Sequence, residues 1–439
     1  MRDRVFLIGA ILLVAAVAGY LAHRHFAAEQ ALRDEEAATL QRAATGCLAG
    51  YYEMPRGAAR ARNEACTRAL SADKLPLDKA AHLHGARAVA RLAVGDTAGA
   101  ASDAQIAVVH FDKEVRAGTA APESLARHAV ALHLAGDTKG ALAAYDAAIK
   151  AAPNDPTLRY RRGVLRTTPV GDYSGAIDDF NVALAQSPNN IDVLIRRGDA
   201  YGRQGDAQKS IADLDHAVWL NLESAPAHLY RGMERARLGQ YAGALEDYAT
   251  ALALDPDYAD ALINRAAVYL SQRNPDLAMA DLARAIPLDP DSALAFYNRG
   301  YAQFLLRRFD EAQQSYSKAI ALNPNFALAY ENRCLVETIL ARDLPAARAD
   351  CDKALALRPK VASVHQTRGF LFLKLADAKQ AVAEYDEVLA QDPNSALALF
   401  GRGLARLKLG DTAAGEGDKH AAVAIDPEVA DQFAAYGVD

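Results

Sequence analysis

Small and apolar residues return along this chain at a fixed long interval. Aligned on Pro153, Pro188, Pro256, Pro290, Pro324, Pro359, Pro393 and Pro427, the sequence repeats every 34 or 35 residues. One gap is 68 residues, and Leu222 stands in it where the missing proline falls. With the proline set at position 32, position 8 holds Ala129, Gly163, Gly198, Gly232, Ala266, Gly300, Cys334, Gly369 and Gly403. Position 20 is Ala, Ser or Gly throughout, and position 27 is Ala in eight of nine repeats. Position 24 is usually large, as in Tyr145, Phe180, Leu214, Tyr248, Leu282, Tyr316 and Tyr385. This pattern predicts two antiparallel helices per repeat. Small residues let the helices approach closely, and the large one fills the space beside them. Gly-Asp pairs such as Gly136-Asp137, Gly205-Asp206 and Gly410-Asp411 mark the turn between the helices. The proline ends the second helix and opens the next repeat. Each pair is amphipathic and cannot bury its apolar face alone, so neighbours must stack.

Period, small-large pattern and closing proline together resemble the tetratricopeptide repeat family. The resemblance implies an all-α, right-handed α-solenoid of stacked antiparallel helix pairs. Nine repeats fit: 122–155, 156–190, 191–224, 225–258, 259–292, 293–326, 327–361, 362–395 and 396–429. Residues 26–121 hold looser repeats, one near Ala81 to Asp112 with Gly95-Asp96 as its turn, another near Thr39 to Leu70. Residues 430–439 are expected to cap the final apolar edge with Phe433 and Tyr436.

The first 25 residues stand apart. Arg2 and Arg4 precede an uncharged run from Val5 to Ala22, followed by His23, Arg24 and His25. Eighteen helical residues span roughly 27 Å, close to the ~30 Å hydrocarbon thickness of a bilayer. The expectation is a single-pass transmembrane helix in an inner cell membrane, with the body in the periplasm. The alternative is a signal peptide cleaved after Ala16-Val17-Ala18, which secretes the body to the same compartment. Hydrophobic residues make up 51% and charged residues 24% of the 439, which fits a folded chain and not bulk disorder. The formal net charge of -6 gives no sign of a nucleic-acid partner.

Two sets of residues depart from the family pattern. Cys334 and Cys351 occupy positions 8 and 24 of one repeat, and Cys47 and Cys66 stand in the same relation in the degenerate first repeat. Two disulfides, Cys47–Cys66 and Cys334–Cys351, are expected in an oxidising compartment. The other readings are reduced cysteines that pack as small apolar residues, or a zinc site, which no CxxC or HxxxH accompanies. Position 7 is Arg in eight consecutive repeats: Arg162, Arg197, Arg231, Arg265, Arg299, Arg333, Arg368 and Arg402. Position 23 is acidic in all but one of these: Asp179, Asp213, Asp247, Asp281, Asp350, Glu384 and Asp418, with Ser315 the exception. The repeat with His128 in place of the Arg has Ala144 in place of the acid. This covariation predicts a structural ladder of Arg–carboxylate pairs between helices. The other reading is a basic ladder for an acidic ligand, which the carboxylates would neutralise.

The resemblance also implies that the first helices line a concave groove. Asn264, Asn298 and Asn332 take the same position in three successive repeats, similar to the asparagine ladder of O-linked N-acetylglucosamine transferases, which hydrogen-bonds an extended peptide backbone. Around them stand Tyr297, Tyr301, Phe304, Leu335, Phe370 and Phe400, an aromatic-rich set suited to anchoring a partner. Toward the N-terminus the Asn position becomes Arg127, Arg161 and Arg196. The competing reading makes these residues only the solvated face of a repeat. There is no Gly-rich phosphate loop, HExxH or GxSxG, so neither catalysis, a cofactor, a metal nor a small-molecule substrate is expected. The expected function is a protein-interaction scaffold of a bacterial cell envelope that binds an extended peptide or protein segment. The alternative is a structural subunit that oligomerises through its convex face or its ends.

Overall fold

The computed structural model describes residues 56–71 and 77–438. The predicted membrane segment, 5–22, and Cys47 lie outside them. Among the described residues every regular element is helical, and no helix is long and apolar enough to cross a membrane. The chain divides into two compact units, Met1–Gln204 and Gly205–Asp439.

In the N-terminal unit the helix pairs Leu77–Ala93 with Thr97–Arg116, Pro122–Leu134 with Thr138–Ala151, and Pro156–Leu165 with Tyr173–Gln186 stack in order behind Arg56–Leu70. The helix Ile191–Gln204 closes the unit. The loose repeat near Ala81 is therefore a full helix pair. In the C-terminal unit, Ala207–Leu220 is followed by six pairs, from Ala225–Arg237 with Tyr241–Leu254 to Ala396–Lys408 with Thr412–Ile425, and by the short helix Val429–Ala434.

Local chemistry sets each boundary. At the turn inside a pair, Gly136 takes φ +91°, a left-handed conformation that costs Gly little. Asp137 then caps the second helix, its Oδ1 accepting from Gly140 N at 2.8 Å. Asp172, Asp206, Asp377 and Asp411 repeat this cap. Second helices end where a pre-proline residue is forced out of the helical region, as at Asp255 with φ -134° and ψ 94°. Its carboxylate accepts from Asp257 N at 3.2 Å, an Asx turn that launches the next repeat. Asn221 makes the same turn onto Glu223 N at 2.9 Å, which explains why Leu222 can replace the proline.

Packing follows the small-large rule. Tyr248, Tyr316 and Tyr385 are 1%, 0% and 0% exposed. Each ring lies on the backbone of the position-8 glycine: a Cβ on Gly232, Gly300 or Gly369 would fall 2.7, 2.7 or 2.8 Å from it. Close-packed interiors leave no slack for such a methyl group.

Candidate functional site

The arginine ladder is present. Arg162 donates from Nε and Nη2 to Asp179 at 2.9 and 2.5 Å. Arg231 pairs with Asp247, Arg265 with Asp281, Arg333 with Asp350, Arg368 with Glu384 and Arg402 with Asp418, all at 2.6–3.1 Å. Arg299 instead meets Ser315 Oγ at 3.0 Å. Arg197 and Asp213 belong to different units; within its own, Arg197 donates to Asn181 Oδ1 at 2.7 Å.

The geometry adds partners that position 23 alone does not reveal. The remaining guanidinium nitrogen reaches back to the preceding repeat: Arg162 to Asp146, Arg231 to Asp215, Arg333 to Ser317, Arg368 to Asp352 and Arg402 to Asp386. Each of these arginines thus ties its own helix pair to its neighbour. The signal was a second polar residue 16 before the Arg, at position 25. The ladder also extends into the loose repeat, where Arg87 chelates Asp103 at 2.7 Å through both Nε and Nη2.

Asp103 is 1% exposed. Burial raises its pKa, but hydrogen bonds from His84 and Arg87 and the charges of Arg87 and Arg91 outweigh that and hold it at about 2. A carboxylate depressed in the fold contributes stability above its unfolded pKa of ~3.9. That contribution disappears as pH falls toward about 2. Asp103→Asn should therefore destabilise the N-terminal unit at pH 7, with the gap from wild type narrowing between pH ~4 and ~2 in denaturant titrations. A gap independent of pH would contradict this.

Cys334 and Cys351 are joined, with Cα atoms 5.5 Å apart. Cys66 is fully buried and disulfide-bonded; its expected partner, Cys47, lies outside the described residues. Among the described residues no cysteine is free, and no cluster of His, Cys, Asp or Glu could hold a metal ion.

The three asparagines are engaged within the protein. Asn298 is 4% exposed and donates to Ile263 O at 3.5 Å. Asn332 donates to the hydroxyls of Tyr297 at 3.3 Å and Tyr316 at 3.4 Å. Burial, with the charge of Glu331, pushes the Tyr297 phenol up to about 12, so it stays neutral as acceptor. Asn264 bonds its own helix at Asp260 O, 2.8 Å away. In this arrangement the amides of Asn298 and Asn332 lock neighbouring repeats.

The aromatic residues do converge. In the C-terminal unit Tyr301 stacks on Phe304 with centroids 6.4 Å apart, and Phe304 meets Phe309 at 5.8 Å. Phe370 and Phe400 are each 6% exposed because the C-terminal segment lies on them: Phe433 is 6.0 Å from Phe370 and 5.1 Å from Phe400. Tyr436 packs on Phe309 at 6.4 Å and Phe370 at 6.1 Å. The segment thus follows the first helices back over earlier repeats, beyond the last edge it was expected to cap. The larger aromatic surface lies there, and Val423 and Ile425 of the last long helix stay 40% and 48% exposed. A cavity of about 210 Å³ remains beside the segment, bordered by Phe304, Leu335, Phe370, Tyr385, Phe433 and Tyr436 among others.

The N-terminal unit has a larger, mostly apolar cavity of about 680 Å³, with Val89, Leu92, Val130, Leu134, Tyr160 and Val164 in its walls. Arg161 lies at this cavity and is 3.7 Å from Glu123, which also accepts from Arg127 at 3.3 Å. That carboxylate offsets part of the positive charge that Arg127 and Arg161 bring to this end.

Stacked antiparallel helix pairs and Gly-on-Tyr packing recurring at a fixed interval define a helical-repeat protein. Models of the tetratricopeptide repeat match residues 293–326, and 134–191 with 368–429; a TPR repeat model matches 232–272. The chain is a tetratricopeptide repeat protein. None of the matching families is catalytic. No curated protein matches the sequence. Among solved structures, the APC/C hetero-tetramer Cut9–Hcn1 is similar with a TM-score of 0.51 and 13% identity, over 87% of this chain and 94% of that one. The human IFIT1 dimer with PPP-AAAA gives 0.50 at 15% identity, over 85% and 95%. A tetratricopeptide repeat protein from Parabacteroides merdae shares 20% identity over 57% of this chain and 98% of that one, with a TM-score of 0.43. For Cut9–Hcn1 and IFIT1 the likeness, at these identities, is one of fold.

Proposed function

We propose that this chain is a protein-binding scaffold whose first-helix face in the C-terminal unit takes a segment of another protein. The observation that carries the reading is the convergence of Tyr301, Phe304, Phe309, Phe370 and Phe400 on one surface already able to hold a peptide segment. Aromatic clusters of this kind anchor partners because they bury much area with little side-chain entropy loss. We place the scaffold in a bacterial cell envelope, held by the apolar segment 5–22 or released by its cleavage. The disulfide Cys334–Cys351 and the bonded Cys66 support an oxidising compartment.

Tyr301→Ala with Phe304→Ala is expected to lower recovery of the partner in affinity purification from native membranes by about tenfold or more, the loss of ~1.4 kcal/mol or more. The second reading, an assembly subunit, is favoured by Trp219 and Leu222, which are 74% and 69% exposed in the same unit. Unchanged recovery in the Tyr301/Phe304 variant, with loss in Trp219→Ala, would favour that reading.

A further inference from the structure

The last ten residues do more than end the array. The helix Val429–Ala434 buries Val429 and Phe433, and Val438 just beyond it is also buried. Two cations hold the main chain that follows: Arg307 Nη2 donates to Ala435 O at 3.2 Å and Lys374 Nζ to Gly437 O at 3.0 Å. Arg307 also lies over the Tyr436 ring, 5.9 Å from its centroid. Arg307 is 128 residues from Ala435 in sequence, so the segment crosses several repeats. These are the features of a bound peptide: one aromatic anchor, Phe433, on a short helix, a second, Tyr436, three residues on in the turn that follows, and the carbonyls on either side of Tyr436 received by side-chain donors. The fit leaves the 210 Å³ cavity bordered by Tyr385, whose buried hydroxyl has no protein hydrogen-bond partner.

We propose that residues 429–438 are an internal ligand, and that the surface they cover is the site for a partner segment of the same chemistry. That chemistry is a short helix with an aromatic residue near its end, a second aromatic three residues on, and main-chain carbonyls open to donors on either side of the second. The inference rests on the protein-binding reading of this surface. It adds that the segment competes with the partner, because a tethered ligand acts at a local concentration near millimolar. A partner then binds the wild-type chain more weakly than a chain whose own segment is released.

The test uses the full chain and a fluorescent synthetic peptide of residues 428–439, read by anisotropy. Phe433→Ala with Tyr436→Ala should bind the peptide roughly tenfold or more tightly than wild type does. A peptide with both aromatics replaced by Ala should bind neither. Equal binding by the two proteins, or none by a folded variant, would overturn the proposal and leave the segment a fixed structural element. Should the variant not fold, hydrogen exchange of the wild-type chain decides. Saturating peptide should speed exchange across 429–438 while leaving 412–425 unchanged; no change in 429–438 would overturn the proposal. Variant dimers that the peptide dissociates would assign the surface to a second copy and overturn the heterologous partner. Peptide binding without any effect of Tyr301→Ala/Phe304→Ala on partner recovery would keep the internal ligand and remove the scaffold reading. Intact partner dependence without peptide binding would do the reverse.

Discussion

Asp179→Ala is expected to destabilise the N-terminal unit by about 3–5 kcal/mol, the largest effect of any single substitution considered. Asp179 is 1% exposed and lies among three guanidinium groups: Arg162, bidentate; Arg166 at 3.0 Å; and Arg159 at 3.7 Å. Removing the carboxylate leaves those partly buried charges with only the exposed carboxylates of Asp146, beside Arg162, and Asp172, beside Arg166, to offset them. Arg162 does not escape the cost by losing its proton, because a guanidinium stays charged far above neutral pH. The size of the loss says little about the net worth of the pair, since desolvation of both partners opposes their attraction. Asp179→Leu with Arg162→Leu should therefore cost less than Asp179→Ala alone. Urea unfolding followed by circular dichroism checks both, and a double variant at least as unstable as the single would contradict the ion-pair account.

Replacing Cys334 and Cys351 with alanine should cost about 3 kcal/mol, the chain-entropy value for closing a loop of this length. The bond spans 17 residues and joins the two helices of one pair. The same two positions hold Gly300 and Tyr316 one repeat earlier, and Gly369 and Tyr385 one repeat later, each ring seated on its glycine. Cys334→Gly with Cys351→Tyr should therefore recover part of the loss under reducing and oxidising conditions alike. Thermal melts with and without reductant check this. Wild type and the alanine pair melting together without reductant would contradict it. In the native protein, thiol reagents should label neither Cys334 nor Cys351 until reductant is added.

The parts of this fold that were legible in the sequence are those dictated by contacts inside one repeat. Gly at position 8 against Tyr at position 24, and Arg162 against Asp179, recur at fixed spacing and change together, so their pairing could be read without coordinates. Contacts between repeats were less legible. Asp146 and Asp386 look like ordinary surface acids until the next repeat brings Arg162 and Arg402 beside them. The helices of the loose repeat escaped full recognition because it lacks the closing proline, although Arg87 and Asp103 keep the ladder spacing. Asn298 and Asn332 were placed at a recurring position, but periodicity does not tell an amide that faces a groove from one that bonds a neighbouring tyrosine. The course of the C-terminal segment depends on aromatic surface collected from several repeats, which no local pattern encodes.

The proposed protein-binding role of the C-terminal unit is tested most directly by placing a photo-crosslinking phenylalanine analogue at Tyr301 and, separately, at Trp219, in the intact cell. The predicted result is a discrete adduct of this chain with another protein from position 301, lost when excess peptide of residues 428–439 is supplied to permeabilised cells. Adducts from position 219 alone, with none from position 301, would contradict a binding surface on the first helices.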